Sequence, residues 1–89
     1  MFKLIFTDSY ELRAKKFLKK HPDMKKLYEK TLLLMEQNVY HPSLRLHKFS
    51  NLYSISINLQ YRSSIDFKIE EDTIIPIDIG DHKAIYGKD

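Results

Sequence analysis

The sequence predicts an α+β domain of order β-α-α-β-β-β, a four-stranded and mainly antiparallel sheet packed on a helical hairpin. Three observations carry this expectation. Apolar residues alternate at both ends of the chain, recur with helical spacing between them, and amount to 43% of 89 residues, enough for one modest core. The whole chain, residues 1–89, therefore reads as a single domain.

Met1 to Thr7 sets Phe2, Leu4 and Phe6 on one side, the pattern of a first strand. Asp8 stands three residues before Glu11, a capping-box spacing that starts a helix. That helix should run to about Lys20, burying Tyr10, Ala14, Phe17 and Leu18 and leaving Lys15, Lys16, Lys19 and Lys20 to solvent. His21-Pro22 ends it, because proline disfavours helical geometry in the residue before it. Asp23 is placed to cap a second helix reaching about Asn38. Its stripe is Leu27, Thr31, Leu34 and Met35, widened by Leu32 and Leu33. So short a break makes the two helices an antiparallel hairpin. Val39 to Ser50 is irregular and basic, contains Pro42, and reads as a loop.

Three strands follow. Tyr53, Ile55 and Ile57 alternate with polar residues, as do Tyr61, Ile65, Phe67 and Ile69; Ile75, Ile77 and Ile79 alternate in the last. Each has a greasy face for the helices to cover and a polar face left open. Pro76 is a misfit in a central strand and argues for an edge or a bulge there.

Residues opposite each other in a hairpin point to the same face. A three-residue Glu70-Glu71-Asp72 turn would pair Ile69 with Thr73, Phe67 with Ile75, Ile65 with Ile77 and Arg62 with Gly80; a turn longer by two residues would set Arg62 against His82 instead. A Leu59-Gln60-Tyr61 turn would set Asn58 beside Arg62. Arg62 should then project from the open face, near Asp81 and His82.

Charge is uneven. Residues 1–50 carry 11 basic against 5 acidic side chains, residues 51–89 carry 4 against 7, and the formal total is +3. A basic half suits a polyanion or an acidic partner. There is no cysteine, which excludes disulfides and thiolate metal sites and points to a reducing cytoplasm. No secretory leader is visible, and no apolar run approaches the roughly 20 residues needed to cross a bilayer. The clustered His, Asp or Glu spacing of a metal site is missing, as is a glycine-rich phosphate loop, so neither metal nor cofactor is expected.

Arg62, His82 and Tyr86 are the candidate catalytic residues. Internal RNA cleavage, in which a ribose 2′-OH attacks the adjacent phosphorus, needs a base, an acid for the leaving 5′-oxygen and a cation for the phosphorane charge. An imidazole titrates near neutral pH, a guanidinium stays charged, and a phenol stacks on a base or donates a hydrogen bond. Arg45, His47 and Lys48, where the loop enters the sheet, are placed to contact RNA.

These residues lie in stretches that together resemble the RelE/ParE toxin superfamily: "HPSLRLHKF", "LYSISI", "YRSSIDF" and the ending "IIPIDIGDHKAIYG". A tyrosine-arginine strand start combined with a terminal Gly-x-His-x-x-x-Tyr is the most specific part. The resemblance covers nearly the whole chain. It implies a toxin of a toxin–antitoxin pair, with a cognate antitoxin as partner. In the RelE-like branch, the toxin enters the ribosome and cuts mRNA, with an arginine on the third strand and a histidine or tyrosine near the C-terminus at its active site. Arg62, His82 and Tyr86 match those positions, and His47 with Lys48 match basic groups before the second strand. The short "FSN" departs from the glycine-containing loop common there. Two other readings share the fold: a ParE-like poison that binds DNA gyrase, which has no need of the Arg62/His82 arrangement, and a non-toxic member that only binds its antitoxin and represses their operon.

Overall fold

The computed structural model describes residues 1–87, with Ile69 by its backbone alone. The sheet has five strands in the order β1-β5-β4-β3-β2: β1 (Lys3–Leu4), β2 (His47–Phe49), β3 (Leu52–Ser56), β4 (Tyr61–Lys68) and β5 (Thr73–Asp81). Every pairing is antiparallel except the short parallel contact of β1 with β5. Three helices complete the fold: α1 (Asp8–Lys20), α2 (Lys25–Gln37) and α3 (His82–Tyr86).

The expected class and order hold, with one strand more than expected. Residues 47–49, read from sequence as loop, form β2 on the far edge. Three residues are too few for alternation to register as a pattern. The first strand is shorter than predicted, and Phe6 is 40% exposed instead of buried.

The α1 boundaries match the expectation, but Thr7 is the cap, accepting from the Tyr10 backbone N–H at 3.2 Å; Asp8 lies inside the first turn. A 3₁₀ turn at Pro22–Met24 separates the helices, and α2 starts at Lys25 without a side-chain cap from Asp23. Its buried residues are Tyr28, Thr31 and Met35, whereas Leu33 is exposed. Tyr28 is drawn inward because its hydroxyl bonds that of Tyr10 at 2.8 Å in the core. Burial raises both phenols above their ordinary value; at Tyr10 the neighbouring Tyr28 adds to the effect.

The hairpin registers differ from expectation in instructive ways. The β4–β5 turn spans four residues, with Lys68 opposite Thr73, Phe67 opposite Ile74 and Ile65 opposite Pro76. Asp72 occupies the left-handed region (φ 50°) to close it. A four-residue turn inverts the predicted parity, but a bulge beside Pro76 inverts it back. Beyond the bulge, Ser64 faces Asp78 and Arg62 faces Gly80, as expected. Ile74 and Pro76 are buried before it and Ile79 after it. Pro76 therefore sits next to the bulge that its missing N–H called for. Arg13 on α1 closes the irregularity: its guanidinium donates to the Ile77 carbonyl at 3.2 Å and lies 3.8 Å from Asp78. In the β3–β4 hairpin Ser56, not Asn58, stands opposite Arg62. Asn58 instead folds the turn, its side-chain oxygen accepting from the backbone of Gln60 and Tyr61.

The core lies between the helical hairpin and one sheet face. Tyr10, Met35, Val39, Leu44, Ile55, Ile65 and Ile74 are almost fully enclosed. The opposite face is not wholly open. Residues 82–86, assigned no element from sequence, form α3, which packs on β4 and β5. Asp81 caps it, accepting from the Ala84 N–H at 2.9 Å, and Ile85 is buried beneath it. Gly80 makes this approach possible: a Cβ there would lie 2.7 Å from that of Ala84. Among the described residues no helix is long and apolar enough to cross a membrane.

Candidate active site

The face opposite the hairpin gathers side chains from three strands and one helix. Ser63 and Ile79 point to the core, so their neighbours Arg62 and Gly80 must point the other way. The same alternation puts Ser54 and, across β2–β3, His47 on the face of Arg62.

Arg62 is half-buried. Its Nε donates to Ser54 Oγ at 3.2 Å and a terminal nitrogen to the Arg45 carbonyl at 3.0 Å. Arg45 takes a left-handed conformation (φ 49°), which turns that carbonyl to the guanidinium. Among the described residues Arg62 makes no ion pair with a carboxylate; the two pairs present are Arg13–Asp78 and Lys68–Asp66. The proximity to Asp81 expected from the register yields no bond, because that carboxylate is committed to capping α3. The guanidinium is thus fixed by neutral oxygens and keeps its full charge for an anion.

Tyr86 is the centre of the cluster. Its hydroxyl lies 2.6 Å from Ser54 Oγ. Its ring stacks on His82, one helical turn away, with centroids 5.7 Å apart and planes at 19°. The rings of His47 and Phe49 meet it edge-on, at 6.3 and 4.8 Å. Both histidines are exposed, and Tyr86 remains 37% exposed.

Arg62, His82, Tyr86 and His47 therefore come together as one patch. Lys48 does not: it stands opposite Tyr53, so the pleat of β2 sends it to the other face. Arg45 contributes its backbone carbonyl, and its side chain is exposed. Ser54 and Phe49 belong to the cluster and were not singled out from sequence. Ser54 shares the even-numbered parity of Arg62 on the adjoining strand, and that is the signal that would have found it. Phe49 follows His47 at two-residue spacing and was hidden by the loop reading.

The patch is an open surface. A shallow depression of about 490 Å³ adjoins it, between the β3–β4 turn and His82, lined by Leu59, Gln60, Asp81 and Lys83. A deeper cleft of about 750 Å³ lies round the edge of β5, walled by Lys16, Lys19 and Lys20 of α1 and by His21 and Tyr61. Such a shape is suited to a polymer laid across the sheet rather than to a small molecule enclosed on all sides. Chemically, the patch offers a fixed cation, two accessible imidazoles and a phenol, with the imidazole centroids 5.7 and 6.3 Å from that of the phenol ring.

No protein-family model matches the sequence, and no curated protein is similar enough to match it. Solved structures do. YafQ from Escherichia coli superposes with a TM-score of 0.77 over 98% of this chain and 100% of that one, at 12% identity. A metal-bound toxin from Helicobacter pylori gives 0.70 over 96% and 99%, at 17% identity. YoeB in its complex with YefM, from Staphylococcus aureus, gives 0.67 over 92% and 98%, also at 17%. Over nearly its whole length the chain has the fold of these three proteins, an α+β fold of the class expected from its sequence.

Proposed function

We propose that the chain is the toxin of a toxin–antitoxin pair and acts as a metal-independent endoribonuclease that cleaves mRNA on the ribosome. The single observation that carries this reading is the convergence of Arg62, His82, Tyr86 and His47 on one exposed patch. In this reading Arg62 neutralises the charge that grows on the phosphorane oxygens. One imidazole removes the proton of the attacking 2′-OH, and the other protonates the leaving 5′-oxygen, releasing a 2′,3′-cyclic phosphate and a 5′-hydroxyl. Tyr86 presents a ring on which a base can stack. The basic first half, with its lysines along α1, supplies attraction to RNA that does not depend on sequence.

The fold shared with the Helicobacter pylori toxin, and the capture of YoeB with a second protein, support a dedicated antitoxin partner. Occlusion of the patch, or displacement of α3, would be enough to silence it.

The experiment is primer extension on message carried by translating ribosomes. Wild-type protein is expected to leave discrete cuts. Arg62→Ala is expected to lower the cleavage rate at least about 100-fold, the scale of losing one charge-stabilising donor. His82→Ala is expected to cost about 100-fold, as for a general acid or base. Full-rate cleavage by Arg62→Ala would overturn the assignment.

A further inference from the structure

The hydroxyl of Ser54 joins the two groups that the patch holds most firmly. Ser54 is fully buried, at 0% exposure, in the middle of β3. Its oxygen takes the Nε–H of Arg62 at 3.2 Å and lies 2.6 Å from the phenol oxygen of Tyr86, a residue 32 positions away in sequence. A serine oxygen has one proton and two lone pairs. With Arg62 on one lone pair, the serine proton is available to the Tyr86 oxygen, and the phenol's own proton is then left for a substrate.

We propose that Ser54 is a positioning residue, linking guanidinium, serine and phenol in one relay that fixes Arg62 and aims the Tyr86 O–H at the scissile phosphate. This rests on the nuclease reading of the same patch. Packing does not explain the hydroxyl. Alanine would fill nearly the same volume, and a buried hydroxyl costs free energy unless it is bonded. Both of its bonds go to residues of the patch, and neither is to the backbone of the sheet. Hydrogen bonds in a chain polarise one another, so a phenol that accepts from a relay headed by a cation becomes a stronger donor. The Arg45 carbonyl at 3.0 Å supplies the second anchor of the guanidinium. An arginine has five N–H donors, so the others remain for phosphate oxygens.

The test compares single-turnover cleavage by wild type, Ser54→Ala, Tyr86→Phe and the double variant, on message in translating ribosomes. Ser54→Ala is expected to lower the maximal rate about 10- to 100-fold, as a displaced reactive group does, with half-saturation within about twofold of wild type. The double variant should be hardly slower than Tyr86→Phe, since partners in one network are not additive. Ser54→Cys, which keeps the volume but bonds weakly, should show the same loss and replaces alanine if that variant unfolds. Full-rate cleavage by Ser54→Ala, or losses that simply multiply in the double variant, would overturn the relay. Wild-type protein that leaves message intact would instead overturn the nuclease reading. The relay is then judged by the Arg62 Nε–H resonance in NMR spectra: slow solvent exchange that becomes fast in Ser54→Ala supports it, and unchanged exchange refutes it.

Discussion

Arg62, Ser54 and Tyr86 form one bonded unit, with Ser54 Oγ 3.2 Å from Arg62 Nε and 2.6 Å from the Tyr86 hydroxyl oxygen. The pleat alone places Arg62 on the correct face, and of the two partners the turn length leaves open, Gly80 and His82, the structure selects Gly80. That success came through two errors that cancel. The turn is four residues long instead of three, and the bulge at Pro76 restores the parity the turn had inverted. Proline gave the warning, but no local pattern states how many residues a bulge adds. Lys48 lies off the patch because β2 is a strand, so neighbours His47 and Lys48 part to opposite faces. Ser54 was passed over because a serine in an alternating strand reads as solvent-facing, whereas Tyr86, arriving from the C-terminus, buries it. The Tyr10–Tyr28 pair gives a prediction at this scale. Both phenols titrate higher in the fold than the ordinary value of about 10, so the folded state holds their protons more tightly. Their contribution is complete below that value and is lost as pH rises towards the folded-state values. Urea midpoints are therefore expected to stay flat with respect to these groups to about pH 10 and then fall. Tyr10→Phe should make the fall shallower, while an identical profile in that variant would contradict the assignment.

Among the elements, α3 decides whether the site exists. The sequence did not announce it: five residues are too few for helical periodicity, and the same stretch reads equally well as a packed tail. Its placement depends on Gly80, on the Asp81 cap and on buried Ile85. Gly80→Ala would bring a methyl to 2.7 Å from Ala84. Overpacking of this kind costs about 1–3 kcal/mol and here must move α3, taking Tyr86 and His82 with it. Thermal melts should show the loss of stability, and cleavage should drop together with it. Ala84→Gly in the same chain should restore both; failure of that rescue would mean Gly80 matters for another reason. Asp81→Ala, which removes the cap, is expected to cost about 1 kcal/mol, with Asp81→Asn close to wild type, read from the same melts. The helical hairpin was far more legible, because its stripe of apolar residues extends over several turns and proline marks its bend.

For the molecule as a whole, the uneven charge of the sequence becomes a spatial arrangement. The lysine-bearing side of α1 borders the cleft at the edge of β5, round the sheet from the patch of Arg62 and Tyr86. Its carboxylates are already engaged: Asp78 lies near Arg13, and Asp81 caps α3. Lys16, Lys19 and Lys20 make no ion pair among the described residues. Attraction to RNA should therefore weaken steeply with salt. Replacing the three lysines by glutamine should reduce the slope of log affinity against log salt by about 2, at roughly 0.7 per single-strand contact. A slope that does not change would mean that this side of α1 never faces RNA. On the proposed reading, an arginine, two imidazoles and a phenol on one exposed patch cut RNA through its own 2′-hydroxyl. The most direct measurement is the chemistry of the cut ends, made on message from translating ribosomes with the wild-type chain and with Arg62→Ala. Wild type is expected to leave 2′,3′-cyclic phosphate and 5′-hydroxyl ends and no cut at a site carrying a 2′-deoxyribose, and Arg62→Ala almost no cuts at all. Intact message, or ends bearing a 5′-phosphate, would contradict it.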